Sequence, residues 1–71
     1  MMFNISPREI EVAKLLCLPD SKIAEKLNIT VSTVQTHRLH LREKTGRVSR
    51  PSVLIELIRA GIIDINEVET E

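Results

Sequence analysis

The sequence predicts an all-α fold of four short helices with a helix-turn-helix at its centre. Apolar residues recur at helical spacing in four stretches, and helix-start and helix-stop residues bound them. Residues 20–41 carry two such stripes separated by a tight turn, which is the pattern of a helix-turn-helix. A chain of 71 residues with one Phe and no Trp or Tyr has room for one small aliphatic core.

The first helix is predicted to begin with a capping box. Ser6 and Glu9 can each bond the other's backbone amide, and Pro7 suits the first helical position. Pro19 should end this helix at or before Leu18. The residues expected to face the core are Val12, Ala13, Leu15, Leu16 and Cys17.

The second helix is predicted to start with Asp20 or Ser21 as its cap. Asn28 should end it, because Asn tolerates the left-handed conformation that stops a helix. Thr30 can then cap the next helix through its hydroxyl. The apolar stripe of the second helix consists of Ile23, Ala24 and Leu27.

The third helix is predicted from about Val31 to Thr45, with Gly46 as its terminator. Val34 and Leu41, seven residues apart, mark its buried side. In a helix-turn-helix the second helix enters the DNA major groove, so this is the candidate reading helix. A helical hairpin with no nucleic-acid role is the alternative on this evidence.

The fourth helix is predicted to follow Ser49, which caps it, and to run to about Ala60. From Asp64 the chain is acidic and expected to be loose, although Asn66 could cap one terminal turn. The predicted organisation is a lead over 1–4, one domain over 5–63 and an acidic tail over 64–71.

The charges of the chain sum to zero but are segregated. Residues 35–50 hold five cations and one acid, whereas residues 62–71 hold four acids and no cation. Because nucleic-acid binding depends on how charge is distributed, the basic block favours a DNA contact. The scarcity of aromatic residues argues against single-strand binding by base stacking.

Other classes of function have little support in the sequence. It contains no nucleophile–base pair, phosphate-binding glycine loop or paired carboxylates, so we expect neither an enzyme nor a cofactor. His37, His40 and Glu43 share a helical stripe, but they lack a fourth ligand and a Cys pair, so no metal site is predicted. The lone Cys17 and the absence of a long apolar run or signal sequence predict a cytoplasmic protein without membrane contact.

Three motifs carry a family resemblance over roughly residues 5 to 63. They are Ile5-Ser6-Pro7-Arg8-Glu9-x-Glu11-Val12, then Ile23-Ala24-x-x-Leu27-x-Ile29-Thr30-x-x-Thr33-Val34-x-Thr36-His37, and finally Lys44-Thr45-Gly46 with Ser49-Arg50. Together they resemble the LuxR/GerE-type DNA-binding domain of bacteria. The resemblance implies a four-helix domain that binds promoter double-stranded DNA, with helix 3 as reader and helix 4 as a homodimer contact. Since the chain starts with Met directly before the domain, we expect a stand-alone, GerE-like regulator.

Taken position by position, the resemblance implies base contacts by Gln35, Thr36 and Leu39. Gln pairs well with adenine, and the methyl groups of Thr and Leu suit thymine, so an A/T-leaning half-site is expected. The candidates for phosphate contact, from matched positions and from charge, are Lys22, Thr33, His37, Arg38, Arg42 and Arg47. The candidates for the dimer contact, from the spacing of helix 4, are Val53, Glu56, Leu57 and Ala60.

Two other readings remain open from the sequence. A module similar to region 4 of a sigma factor would share the helix-turn-helix and contact RNA polymerase as well as DNA. A protein-interaction module would keep the fold, lose DNA binding and engage a regulator protein through helix 4 or the tail. The neutral net charge, and Gln35 where the family usually has Lys or Arg, favour this last reading.

Overall fold

A computed structural model describes residues 4–70 of the chain. The helices are α1 (Pro7–Lys14), α2 (Asp20–Leu27), α3 (Val31–Thr45) and α4 (Arg50–Arg59), followed by a 3-10 turn over Ile65–Glu67. The prediction of an all-α, four-helix fold is confirmed. Of the predicted lead over 1–4, only Asn4 lies within the described residues. Among the helices of residues 4–70, none has the length and apolar character needed to cross a bilayer.

All four helices contribute to one aliphatic core, and α3 lies at its centre. α3 packs against α1, α2 and α4. The largest fully buried side chains of residues 4–70 are Val12, Ile23, Val34, Leu41 and Leu57, which come from all four helices. The burial of Val34 and Leu41 confirms the predicted inner side of α3. Full burial of such a side chain stabilises the fold by about 1.5–3 kcal/mol.

α1 ends before Leu18, as Pro19 predicts, but the residues between the helix and the proline differ from the prediction in what they bury. The helix stops at Lys14, and the next residues form a turn in which the Leu18 amide donates to the Leu15 carbonyl at 2.9 Å. This i→i−3 bond winds the chain more tightly than an α-helix does. Leu15, Leu16 and Leu18 therefore stay buried while Cys17 is exposed. The prediction that Cys17 faces the core is wrong, because it extended the α-helical period through this turn.

The start of α2 also differs. Pro19 is the N-cap and makes no side-chain cap bond, and Asp20 is the first helical residue. The prediction of Asp20 or Ser21 as the cap is wrong. Asp20 lies inside the first turn, one position past the N-cap, and its carboxylate contacts Arg38 of α3 and Arg50 of α4.

The remaining helix ends follow the prediction. The Ser6–Glu9 capping box is present at the start of α1. Asn28 has φ 56° and Gly46 has φ 71°, the left-handed conformation that ends α2 and α3. The Thr30 hydroxyl accepts a bond from the Thr33 amide at 3.1 Å and caps α3. Ser49 caps α4 in the same way.

The described part of the acidic tail, 64–70, lies against α1 and α2. The Glu69 amide donates to the Lys14 carbonyl at 2.9 Å, and the Glu69 carboxylate lies 3.1 Å from the Lys26 ammonium. Asp64 caps the 3-10 turn by accepting a bond from the Asn66 amide. The expectations of a loose segment and of an Asn66 cap are therefore wrong, since backbone and ionic contacts dock this segment.

Candidate nucleic-acid interface

The helix-turn-helix is formed by α2, the three residues 28–30 and α3. The left-handed Asn28 turns the chain, and the Ile29 amide donates to the Ala24 carbonyl at 3.0 Å. Ala24 is only 7% exposed, which lets the two helices approach closely. With Val34 and Leu41 in the core, the opposite face of α3 is left to the surface.

The three candidate base-reading residues lie on this outer face. Gln35, Thr36 and Leu39 are all exposed, and Leu39 is 47% exposed although it is apolar. The Thr36 hydroxyl donates to the Ser32 carbonyl at 3.1 Å, so it remains an acceptor and a methyl group for an incoming partner. The structure therefore brings one amide, one hydroxyl and one apolar side chain together on the outer face of α3.

The candidate residues for phosphate contact differ in their exposure and in whether they already form an ion pair. Lys22 and Arg42 are exposed, and neither forms an ion pair with any residue of 4–70. Arg38 lies 2.8 Å from Asp20, and Arg47 lies 3.2 Å from Glu56. The Thr33 hydroxyl is 2.9 Å from the Thr30 hydroxyl, whereas His37 is half-buried.

The basic block predicted from the sequence is largely neutralised in the folded chain. Within the described residues, Arg38 and Arg50 pair with Asp20, and Lys44 pairs with Glu9. Arg47 pairs with Glu56, so Arg42 is the one Lys or Arg of residues 35–50 that has no ion-pair partner among residues 4–70. The positive field of this region is therefore weaker than a count of cations implies.

Asp20 joins three helices, a role that the sequence does not reveal. Its carboxylate contacts Arg38 on α3 and Arg50 on α4 from the first turn of α2. Arg50 also donates to the Leu16 and Leu18 carbonyls at 3.2 and 2.7 Å. These contacts fix the start of α4 against the turn that precedes α2.

Glu9 is a second charged residue whose role exceeds its predicted one. It is 4% exposed, and its Oε1 accepts bonds from the Ser6 amide at 3.0 Å and from the Lys44 ammonium at 2.7 Å. Burial raises the pKa of the Glu9 carboxyl, but the bonds from Lys44 and Ser6 outweigh it and hold the pKa below its ordinary value. An ionised Glu9 thus links α1 to the end of α3.

Two histidines of α3 approach the same carboxylate. His40 Nδ1 lies 3.3 Å from Glu9 Oε2, and ligand atoms of Glu9, His37 and His40 all lie within 4.8 Å of one another. Glu43, which shares the helical stripe of the histidines in the sequence, does not belong to this cluster of the described residues. Packing of α1 on α3 supplies Glu9 instead.

The candidate dimer residues of α4 differ in accessibility. Val53 is 3% exposed and Leu57 is fully buried, so both belong to the core of a single chain and offer no surface to a partner. Glu56 is half-buried beside Arg47, and Ala60 is exposed. The sequence spacing did not identify Ile55, the apolar residue of α4 that is exposed on this side.

The four-helix fold agrees with a comparison of the chain with protein families. The family model GerE, described as bacterial regulatory proteins of the luxR family, matches residues 4–57. The chain therefore belongs to the luxR family of bacterial regulatory proteins, as its motifs predict.

Among curated proteins, the chain is similar to the oxygen regulatory protein NreC of Staphylococcus carnosus (strain TM300) and of Staphylococcus aureus (strain JH9). Each is 31% identical over 62 residues, which cover 84% of this chain. The chain spans about 29% of the length of these relatives. The comparison with solved structures gave no significant match.

Proposed function

We propose that this chain is a sequence-specific DNA-binding domain of a transcription regulator and that α3 enters the major groove. Membership of the luxR family supports DNA binding in general. The observation that carries the finer proposal is the exposed set of Gln35, Thr36 and Leu39 on the second helix of a helix-turn-helix. These residue types favour adenine and thymine in the half-site.

The phosphate contacts of the proposed complex begin with Lys22 and Arg42. Both are exposed and carry no ion pair within residues 4–70. Arg38 and Arg47 would have to exchange a carboxylate for a phosphate, so their contribution is smaller. Thr33 and His37 flank the reading face and complete the proposed set. These contacts position the helix, while the base-reading residues specify the sequence.

We further propose a homodimer through the outer face of α4. Ala60 and Glu56 remain candidates for this contact, and Ile55 is exposed beside Glu56. An inverted repeat in the preferred DNA would support this arrangement, since the symmetry of a dimer is mirrored in its site. A chain that stays monomeric on DNA at high micromolar concentration would contradict it.

The test of DNA binding is fluorescence anisotropy with a pool of random duplexes, titrated against salt and followed by selection from the pool. We expect a steep fall of affinity with salt, because bound phosphates release counterions. Arg42→Ala should reduce the slope by about one unit on every sequence. Arg8→Ala, which removes an exposed arginine from α1, outside the proposed DNA and dimer contacts, is the matched control.

The test of base reading is Gln35→Ala on the selected site. It should cost about 1–3 kcal/mol of binding free energy and relax the preference at one base pair. An equal loss on every duplex would contradict base reading by Gln35.

A protein-interaction module is the second candidate. The neutral net charge and the pairing of Arg38, Lys44, Arg47 and Arg50 with acids favour it. A chain with intact helical circular dichroism that fails to bind DNA at low salt would establish this candidate. The search would then turn to a regulator protein or RNA polymerase bound at α4 or the tail.

A further inference from the structure

We propose that Glu9, His37 and His40 form a binding site for a divalent transition metal ion, best suited to zinc, where α1 crosses α3. One ligand atom of each residue lies within 4.8 Å of the other two. The two imidazoles belong to α3, three residues apart, and the carboxylate belongs to α1. Two imidazoles and one carboxylate are the ligand set of zinc sites that keep a fourth position for water.

The separation of two ligand atoms already fits the ion. His40 Nδ1 lies 3.3 Å from Glu9 Oε2. Two ligand atoms about 2.05 Å from a tetrahedral zinc lie roughly 3.3 Å apart. The third ligand atom, a ring nitrogen of His37, lies at most 4.8 Å from the other two ligand atoms. To reach a separation of 3.3 Å from them, it has to move by at most roughly 1.5 Å. Rotation about the side-chain bonds of His37 covers that distance.

The ring of His37 supplies a second, independent observation. Its Nδ1 is buried and has no hydrogen-bond partner among the residues that the structure describes. Buried polar atoms without a partner are rare in folded proteins. Ligation through Nδ1 would give this buried nitrogen the partner that residues 4–70 do not provide.

The two oxygens of Glu9 have separate surroundings. Oε1 accepts bonds from the Ser6 amide and the Lys44 ammonium, whereas Oε2 faces His40. Oε2 is thus the metal ligand, and the donors on Oε1 orient the carboxylate as second-sphere groups do in metal sites. The charge of Lys44 opposes a second cation, so the affinity should be lower than that of a closed four-ligand site.

This inference does not depend on DNA binding, and its test uses none. The metal-free chain of 71 residues is titrated with zinc in competition with a chromophoric chelator. We expect one zinc ion per chain. When the concentration of free zinc is ten times the dissociation constant, the midpoint of thermal unfolding should rise by roughly 5–10 °C, because the ion binds the folded chain.

Matched variants locate the site. His40→Gln and His37→Gln should each weaken zinc binding at least tenfold, whereas Glu43→Gln should leave it unchanged. His40→Gln is the decisive variant, because its side chain is 46% exposed and circular dichroism can verify that the fold is kept. Lys44→Gln should strengthen zinc binding several-fold by removing the competing cation from Glu9.

The exposed Cys17 provides the necessary check, because a thiolate also binds zinc. Cys17→Ser should keep the wild-type affinity and stoichiometry. Zinc binding that survives His40→Gln, or that disappears in Cys17→Ser, would overturn the proposed site. The absence of zinc binding by the folded wild-type chain would overturn it as well.

Discussion

Neutralising Asp20 should lower the stability of the domain while raising its affinity for DNA. Asp20→Asn keeps the shape of the side chain and removes its charge. In the folded chain the carboxylate contacts the guanidinium of Arg38 at 2.8 Å and that of Arg50. The side chain of Asp20 is 17% exposed and those of the arginines 26% and 30%, so solvent screens these ion pairs only in part.

The loss of stability can be worked out from these contacts. A hydrogen bond to a charged group contributes about 1.5–3 kcal/mol when it is buried, and we take about 1 kcal/mol for each of the two half-buried pairs. The charge of Asp20 in the first turn of α2 adds roughly 0.3–1 kcal/mol through the helix dipole. Asp20→Asn should therefore lower the free energy of unfolding by about 2–3 kcal/mol. For a domain of this size the thermal midpoint should fall by roughly 10–20 °C.

The assay is urea unfolding followed by helical circular dichroism. Glu25→Gln is the matched control, because it removes the same charge from an exposed position of α2 that forms no ion pair within residues 4–70. We expect the control to change the free energy of unfolding by less than about 0.5 kcal/mol. The slope against urea should be the same in both variants, since the fold is unchanged.

DNA binding gives the second readout. Without the carboxylate, Arg38 can turn towards a phosphate, so the salt dependence of Asp20→Asn should steepen by up to about one unit. Glu25→Gln corrects for the change in net charge alone. If Asp20→Asn unfolds at the same urea concentration as Glu25→Gln, the ion pairs do not hold the helices together. If the DNA affinity of Asp20→Asn falls instead of rising, the proposed release of Arg38 is wrong.

Two further predictions concern single residues in the fold. Asn28→Ala should lower the free energy of unfolding by about 1 kcal/mol, because alanine fits the φ of 56° poorly, whereas Asn28→Gly should be neutral or stabilising; urea unfolding measures both. Since the pKa of Glu9 is lower in the folded chain than its ordinary value of 4.5, the ionised carboxylate stabilises the fold above that value, and this contribution is lost as the pH falls through the folded pKa. The urea midpoint should therefore fall between pH 6 and pH 3 and do so less steeply in Glu9→Gln; equal profiles would contradict the role given to the carboxylate.

The parts of the fold that the sequence predicts well are set by neighbours along the chain. The Ser6–Glu9 capping box, the Thr30 cap and the terminators Asn28 and Gly46 each depend on groups within a few residues, and all are present. Cys17 shows where such reasoning fails. One i→i−3 turn after α1 shifts the phase of the apolar pattern, and the sequence contains no clear signal of it.

The ion pairs around the candidate site could not be predicted from neighbours along the chain. Asp20 lies 18 residues from Arg38, and Lys44 lies 35 residues from Glu9, so only the packing of helices brings them together. The residue type of Asp20 favours a capping role, but in the folded chain its carboxylate contacts two arginines. The third member of the histidine cluster escaped notice for the same reason, because spacing along α3 pointed to Glu43.

The central position of α3 in the fold determines which of its residues can change when related chains come to prefer different DNA sequences. One side of this helix is committed to the core through Val34 and Leu41, and the opposite side carries Gln35 and Leu39. Because Gln35 and Leu39 are exposed, substitutions at these two positions should change the preferred DNA sequence at little cost to folding. Substitutions on the inner side are constrained by three packed helices at once. The helix that would read DNA can thus vary on one face while the other stays fixed.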